Sequence, residues 1–101
     1  MAAYKLYLGL NDKDSGTQEI GTLEAYKVVT NLIKSDFGHG VVREAFRGES
    51  LSQGAPETML EITIPEAEIK QIAQFATLLK KIFNQEKILL QEEKVDYDSI
   101  S

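Results

Sequence analysis

The feature that most constrains the fold is a change of hydrophobic period within "TMLEITIPEAEIKQIAQFATLLKKIFNQ". Before Pro65, the apolar residues Leu60, Ile62 and Ile64 alternate with more polar ones, which is typical of a strand buried on one face. After Pro65, apolar residues recur every three or four positions and predict an amphipathic helix. Because proline lacks an N–H, we expect Pro65 to end the strand and to begin the helix.

A similar pair of elements is predicted near the N-terminus. "YKLYLGL" alternates like a strand, and the polar run "NDKDSGTQEIG" that follows it predicts a loop. "LEAYKVVTNLIKSDF" then has helical periodicity, with Thr22 as the expected N-cap. Its predicted buried face comprises Leu23, Tyr26, Val29 and Ile33.

Two further strands complete the pattern. "VVREAF" and "TMLEITI" flank the polar stretch "FRGESLSQGAPET", so we expect an antiparallel hairpin, and "KILLQ" predicts a last short strand after the second helix. The order is strand, helix, strand, strand, helix, strand. This order predicts an α+β ferredoxin-like βαββαβ sandwich, in which a four-stranded antiparallel sheet has two helices on one face.

Composition limits the classes of function. We expect the 101 residues to form a single domain spanning 1–101, with an acidic C-terminal extension at about 92–101. The net charge of −5 disfavours nucleic-acid binding. No cysteine is present, and we identify neither a leader peptide nor a segment that could span a membrane, so the expected location is the cytoplasm.

No motif predicts catalysis, a metal site or a cofactor. "NDKDSG" fails the EF-hand spacing because Lys13 occupies the third position, and His39 is a lone histidine between two glycines. The serines near residue 50 lack a G-x-S-x-G turn, and no phosphate-binding glycine motif occurs. We therefore predict a protein without enzymatic activity. An enzyme that uses His39 or a carboxylate as a base is the third of three hypotheses.

The hairpin connection carries the residues best suited to binding. Arg43 and Arg47 can each form two hydrogen bonds with a phosphate or carboxylate. Gly48 and Gly54 allow backbone amides to approach an anion. The same residue types are common in hairpins that bind nothing. The stretch is thus either a site for a small anionic ligand or a turn.

The chain also resembles the PII-like signalling proteins. The resemblance spans residues 4–91 and lies in "GVVREAFRGES", "MLEITIPEAEIKQI" and "NQEKILLQ". It implies a trimer that binds nucleotides or related anions in clefts between subunits. By position, it implies that the loop base consists of Arg47, Gly48, Glu49 and Ser50, and that Lys87 lies near the connection into the last strand.

The leading functional hypothesis is a small PII-like regulatory protein that binds a small anionic ligand or a protein partner. We expect a homo-oligomer, a trimer or a dimer, because the sheet face without helices carries apolar and charged residues together. The predicted ligand-binding residues are Arg43, Arg47, Gly48, Glu49, Ser50 and Lys87. The alternative is an acidic inhibitor encoded by a phage or other mobile element, which would use Glu92 and Glu93 to block a basic surface of a host protein.

Overall fold

Six elements follow one another in the predicted order. The structure is a computed structural model and describes residues 2–47 and 56–93. The elements are β1 (Ala2–Gly9), α1 (Thr22–Asp36), β2 (Val41–Arg47), β3 (Glu57–Ala67), α2 (Ile69–Ile82) and β4 (Leu89–Glu93). The strands form one antiparallel sheet in the order β2-β3-β1-β4. The predicted fold class, a ferredoxin-like α+β sandwich, is therefore confirmed.

The helices cover one face of the sheet. Strand pairing places Leu6 opposite Ile62 and Leu8 opposite Leu60, and all four side chains are fully buried. Helix α1 adds Val29 to this core, and the other buried helix residues are Ala25, Ile33, Ile72, Phe75 and Leu79. The alternation that predicted the strands therefore comes from one side of the sheet being removed from water.

Pro65 does not end β3, contrary to the prediction. The strand continues to Ala67, and pairing with β1 shifts between Ala2 and Tyr4. Such an irregularity accommodates a residue that cannot donate a ladder hydrogen bond. Helix α2 begins later, where Glu68 and Gln71 form a reciprocal capping box.

Helix α1 begins at Thr22, but its N-cap is Gly21. The Thr22 hydroxyl does not cap the helix; it accepts a hydrogen bond of 2.9 Å from Gln18 Nε2. The predicted buried face is correct for Val29 and Ile33 only. Leu23 and Tyr26 remain 67% and 42% exposed, so the N-terminal half of α1 presents apolar surface to solvent.

Neither helix within the described residues is long and apolar enough to cross a membrane.

Candidate functional site

The sheet face opposite the helices mixes charged and apolar side chains. The register places Arg43 opposite Glu61 and Lys5 opposite Gln91 on this open face. Its other members are Tyr7, Val41, Ala45, Glu57, Met59, Thr63, Leu89 and Glu93. Lys5 Nζ lies 3.5 Å from carboxylate oxygens of both Glu61 and Glu93. These two carboxylates raise the pKa of Lys5, since they stabilise its charged form.

Glu57 differs from the other described acidic residues in how deeply it is buried. It is the first residue of β3 and is only 3% exposed, and no other carboxylate among residues 2–47 and 56–93 is buried. Its Oε2 accepts a hydrogen bond of 2.9 Å from the backbone N–H of Asn11. Removing a carboxylate from water is costly, so a buried one at the end of a strand marks a candidate functional site.

Gly9 creates the space that this carboxylate occupies. A Cβ atom added to Gly9 would lie 2.5 to 2.7 Å from the carboxylate atoms of Glu57, closer than real Cβ contacts allow. Glycine therefore matters here for steric reasons, because a Cβ would displace the carboxylate from this position, and not for its backbone conformation, since Gly9 has no positive φ. Gly9 and Glu57 form one unit, a carboxylate held against the backbone of the neighbouring strand.

Hydrogen bonds from the α2–β4 turn hold the loop that carries Asn11. Gln85, itself 5% exposed, donates through Nε2 to the carbonyl oxygen of Asn11. Asn84 has a φ of 49° and donates to Asp12 Oδ2 at 2.9 Å and to Asp14 Oδ2 at 2.8 Å. The bond from Asn84 lowers the pKa of Asp12, and backbone N–H donors add to the shift. These contacts fix the backbone that donates to Glu57.

The predicted ligand-binding residues fall in different places. Arg43 is exposed on the open face of β2 and forms no ion pair with any residue that the structure describes; Glu61 opposite it pairs with Lys5. Arg47 is the last residue of β2 and pairs in register with Glu57. Lys87 is exposed just before β4. The predicted positions Gly48, Glu49 and Ser50 lie outside the described residues.

One chain does not bring all of these residues together. Arg43 and Arg47 belong to the edge strand β2, whereas Lys87 precedes the other edge strand, β4. Three strand spacings separate the two edges, which is about 14 Å. Arg47 and Glu57 are adjacent in the sheet, whereas β3 and β1 lie between Arg47 and the edge that Lys87 precedes.

Sequence reasoning missed Glu57. Its position in the alternation of β3 assigns it to the solvent-facing side with Glu61, and nothing local separates the two. The one available sign was Gly9, a glycine inside a predicted strand, which often indicates a close approach of another group. His39, the other candidate base, is exposed in the α1–β2 connection.

The fold and the open face define a ferredoxin-like α+β protein with a buried carboxylate at the base of its central hairpin. No protein-family model matches the chain, and no curated protein matches it in sequence. Two solved chains share its shape. A phage SAM lyase in its apo state matches with a TM-score of 0.62 and 18% identity, over 89% of this chain and 78% of that one. A phage SAM lyase in complex with S-methyl-5'-thioadenosine matches with a TM-score of 0.60 and 20% identity, over 91% and 79%.

These matches contradict two predictions from the sequence. The predicted non-enzymatic regulator, and with it the alternative of an acidic inhibitor, is contradicted by these two structural neighbours, which are phage SAM lyases. The inference failed because it required a recognisable catalytic motif. The ferredoxin-like layout stands, but no comparison supports the PII-like family specifically.

Proposed function

We propose that this protein is a lyase that cleaves S-adenosylmethionine (SAM) and releases S-methyl-5'-thioadenosine. The observation that carries the proposal is the match of about nine-tenths of the chain to phage SAM lyases, one of them holding S-methyl-5'-thioadenosine. The electrostatics are compatible with it. SAM carries a sulfonium and an ammonium, and a protein of net charge −5 attracts a cation at long range.

The proposed reaction needs no water, metal or cofactor. The substrate's own carboxylate attacks the carbon bonded to sulfur at the end of the aminobutyrate chain and closes a five-membered lactone. The carbon–sulfur bond breaks and its electron pair stays on sulfur, which leaves as the neutral thioether S-methyl-5'-thioadenosine. The sulfonium and carboxylate charges both disappear, so a site that removes these groups from water favours the transition state over the ground state.

We assign Glu57 to the substrate's ammonium group. A carboxylate out of bulk water attracts a nearby cation more strongly than an exposed one does. Contact with the ammonium would hold the aminobutyrate chain in the folded conformation that brings its carboxylate to the reacting carbon, which is catalysis by orientation. Glu57 is therefore proposed as the principal residue of the site, with Gly9 and Asn11 positioning its carboxylate.

Arg47 is proposed to contact the substrate's carboxylate from the strand beside Glu57. An ion pair with that carboxylate stabilises the bound substrate more than the transition state, in which the carboxylate has lost its charge. Arg47 would thus contribute to affinity and not to rate. Arg43 lies further along the same strand and face, and residues 48–50 follow Arg47 directly in the chain. We retain Gly48, Glu49 and Ser50 as proposed contacts for the nucleoside part.

Lys87 enters the proposal only through self-association. The mixed open face supports a dimer or trimer, in which we place the β4 edge of one copy, with Lys87, beside the β2 edge of another. A cytoplasmic location, where SAM would be met as a free metabolite, belongs to the same proposal.

The test is product analysis by liquid chromatography and mass spectrometry. The purified protein is incubated with SAM beside a protein-free blank, which measures spontaneous breakdown. We expect equimolar S-methyl-5'-thioadenosine and homoserine lactone, formed faster than in the blank. At concentrations where the proposed oligomer is fully formed, the rate should be proportional to protein concentration. A rate equal to the blank would contradict the function. S-methyl-5'-thioadenosine accompanied by vinylglycine would keep the lyase and replace the lactone step with an elimination.

A further inference from the structure

A groove on the helix-covered side of the edge strand lies apart from Glu57. We call it the α1–β2 groove; it has a volume of about 330 Å³ and is lined by Tyr26, Thr30 and Lys34 of α1, by His39, and by Val42 of β2, and it reaches the first residue of that strand, Val41. Such a volume falls at the lower end of the range for small-molecule sites. Arg43, Arg47 and Glu57 do not line it.

The hydroxyl group of Thr30 lacks a hydrogen-bond partner among the described residues. Its oxygen atom is also buried. A threonine inside a helix commonly donates to the carbonyl oxygen four residues earlier, as Thr77 does to Ala73 in α2 at 3.0 Å. Buried polar groups are rarely left unpaired, so the unpartnered hydroxyl indicates a missing partner within the groove.

The apolar part of the groove includes Tyr26, which sequence periodicity assigns to the core but which is 42% exposed. The opposite end is closed by Gly40, where a Cβ would lie 2.8 Å from a methyl carbon of Ile33. The groove thus combines a partly exposed aromatic side chain with a closely packed wall at Gly40.

The basic and acidic residues around the groove lie at opposite ends. Lys34 and His39 lie at the end near Gly40, and neither forms an ion pair with any residue in the described part of the chain. Lys34 is in the last turn of α1, where it offsets the partial negative charge of the helix end. Glu44 lies beyond Tyr26 in the opposite direction. An anionic group is therefore favoured only at the Lys34 end.

We propose that the α1–β2 groove binds a small carboxylate ligand with a flat apolar body. The carboxylate lies between Lys34 and His39 and accepts the hydrogen bond of the Thr30 hydroxyl, and the apolar body lies along Tyr26. This site is on the opposite side of the sheet from Glu57, so it does not depend on the proposed lyase activity.

The test uses benzoate as the probe and benzamide as its neutral counterpart, with binding followed by two-dimensional NMR of the full-length protein labelled with ¹⁵N. We expect benzoate to cause saturable shifts of amide signals within residues 26–42, and benzamide to bind at least about tenfold more weakly because it lacks the charge. Lys34→Met should reduce benzoate affinity by a similar factor. Lys27→Met, on the same helix but outside the groove, is the matched control and should leave the affinity unchanged.

Thr30→Val separates the hydroxyl from the shape of the groove, because it keeps the volume and removes the donor. We expect weaker benzoate binding together with a higher Tm of the unliganded protein, since the unpartnered polar group is gone. The proposal is overturned if benzoate shifts no signals in this region, if benzamide binds equally well, or if Lys27→Met and Lys34→Met reduce affinity alike. Unchanged benzoate binding by Thr30→Val would also contradict it.

Discussion

The two faces of the sheet obey different physical rules, although they belong to the same strands. On the helix-covered face, Leu6, Leu60 and Ile62 are fully buried aliphatic residues whose identity matters mainly for volume. On the open face, Glu61 pairs with Lys5 near solvent, while Glu57 is buried against Gly9. Burial on the first face follows from hydrophobicity, whereas on the second it includes a charged group, Glu57. The first face should therefore control stability, and the second should control function.

The largest expected difference is in stability, between adjacent residues of β3 that face opposite ways. Ile62→Ala removes a fully buried side chain and should lower the free energy of unfolding by about 2 to 5 kcal/mol. Thr63→Ala, on the open face, should cost less than about 1 kcal/mol. Urea unfolding followed by circular dichroism measures both. Equal losses would mean that the open face is packed as a second core.

The next difference is in catalysis, between two carboxylates of the same strand and face. Glu57→Gln keeps an oxygen that accepts from Asn11 but removes the charge, so SAM cleavage should fall by roughly 100-fold or more with the fold retained. Glu61→Gln is the control, and its cleavage rate should stay within a factor of about two to three, because Glu61 forms only a partly exposed ion pair with Lys5. Similar losses in both variants would exclude Glu57 as the principal residue.

A third comparison tests whether Gly9 is needed for its size. Gly9→Ala places a methyl group where the Glu57 carboxylate lies, so it should lower the cleavage rate by roughly tenfold or more through displacement of that group. Gly21→Ala is the control, because nothing lies within 4 Å of a Cβ built there. Kinetic assays and Tm measurements on both variants decide the question. Full activity in Gly9→Ala would show that the exact position of the carboxylate is unimportant.

The smallest expected effect concerns the exposed ion pairs of Lys5. Lys5→Met should lower Tm slightly at neutral pH and low salt, and added salt should shrink the difference from the unmodified protein. The pKa of Lys5 is raised above its ordinary value of 10.5. The stability that its charge contributes is therefore fully present below pH 10.5 and is lost as the pH rises through the pKa of Lys5 in the folded protein. A salt-independent difference would indicate that the alkyl chain of Lys5 stabilises the fold more than its charge does.

The limits of sequence reasoning follow from the same comparison. The alternation of apolar and polar residues identified Leu60, Ile62 and Ile64 as buried. A strand with one face removed from water requires an apolar side chain at every second position. It failed for Leu23 and Tyr26, since periodicity defines an apolar face of a helix but not how much of that face the sheet covers. Pro65 was misread because a bulge, which depends on pairing with β1, lets the strand continue.

The site was less predictable than the fold because it depends on pairs that are distant in the chain. Glu57 is placed by Gly9 and Asn11, each more than 40 residues away, and no local pattern links them. Arg43, Arg47 and Lys87 remain predictions. The proposed enzymatic chemistry has no motif in the sequence, because the proposed reaction consumes no co-reactant and so requires no nucleophile, metal or phosphate loop.

The separation of the two edge strands has a consequence for how the activity would depend on the amount of protein. If the site joins residues from the β2 edge of one copy and the β4 edge of another, the fraction of complete sites depends on association between chains. Turnover per chain would then fall steeply on dilution below the dissociation constant. At low expression most chains in a cell would then be inactive monomers, and activity would appear only when the protein concentration exceeds the dissociation constant.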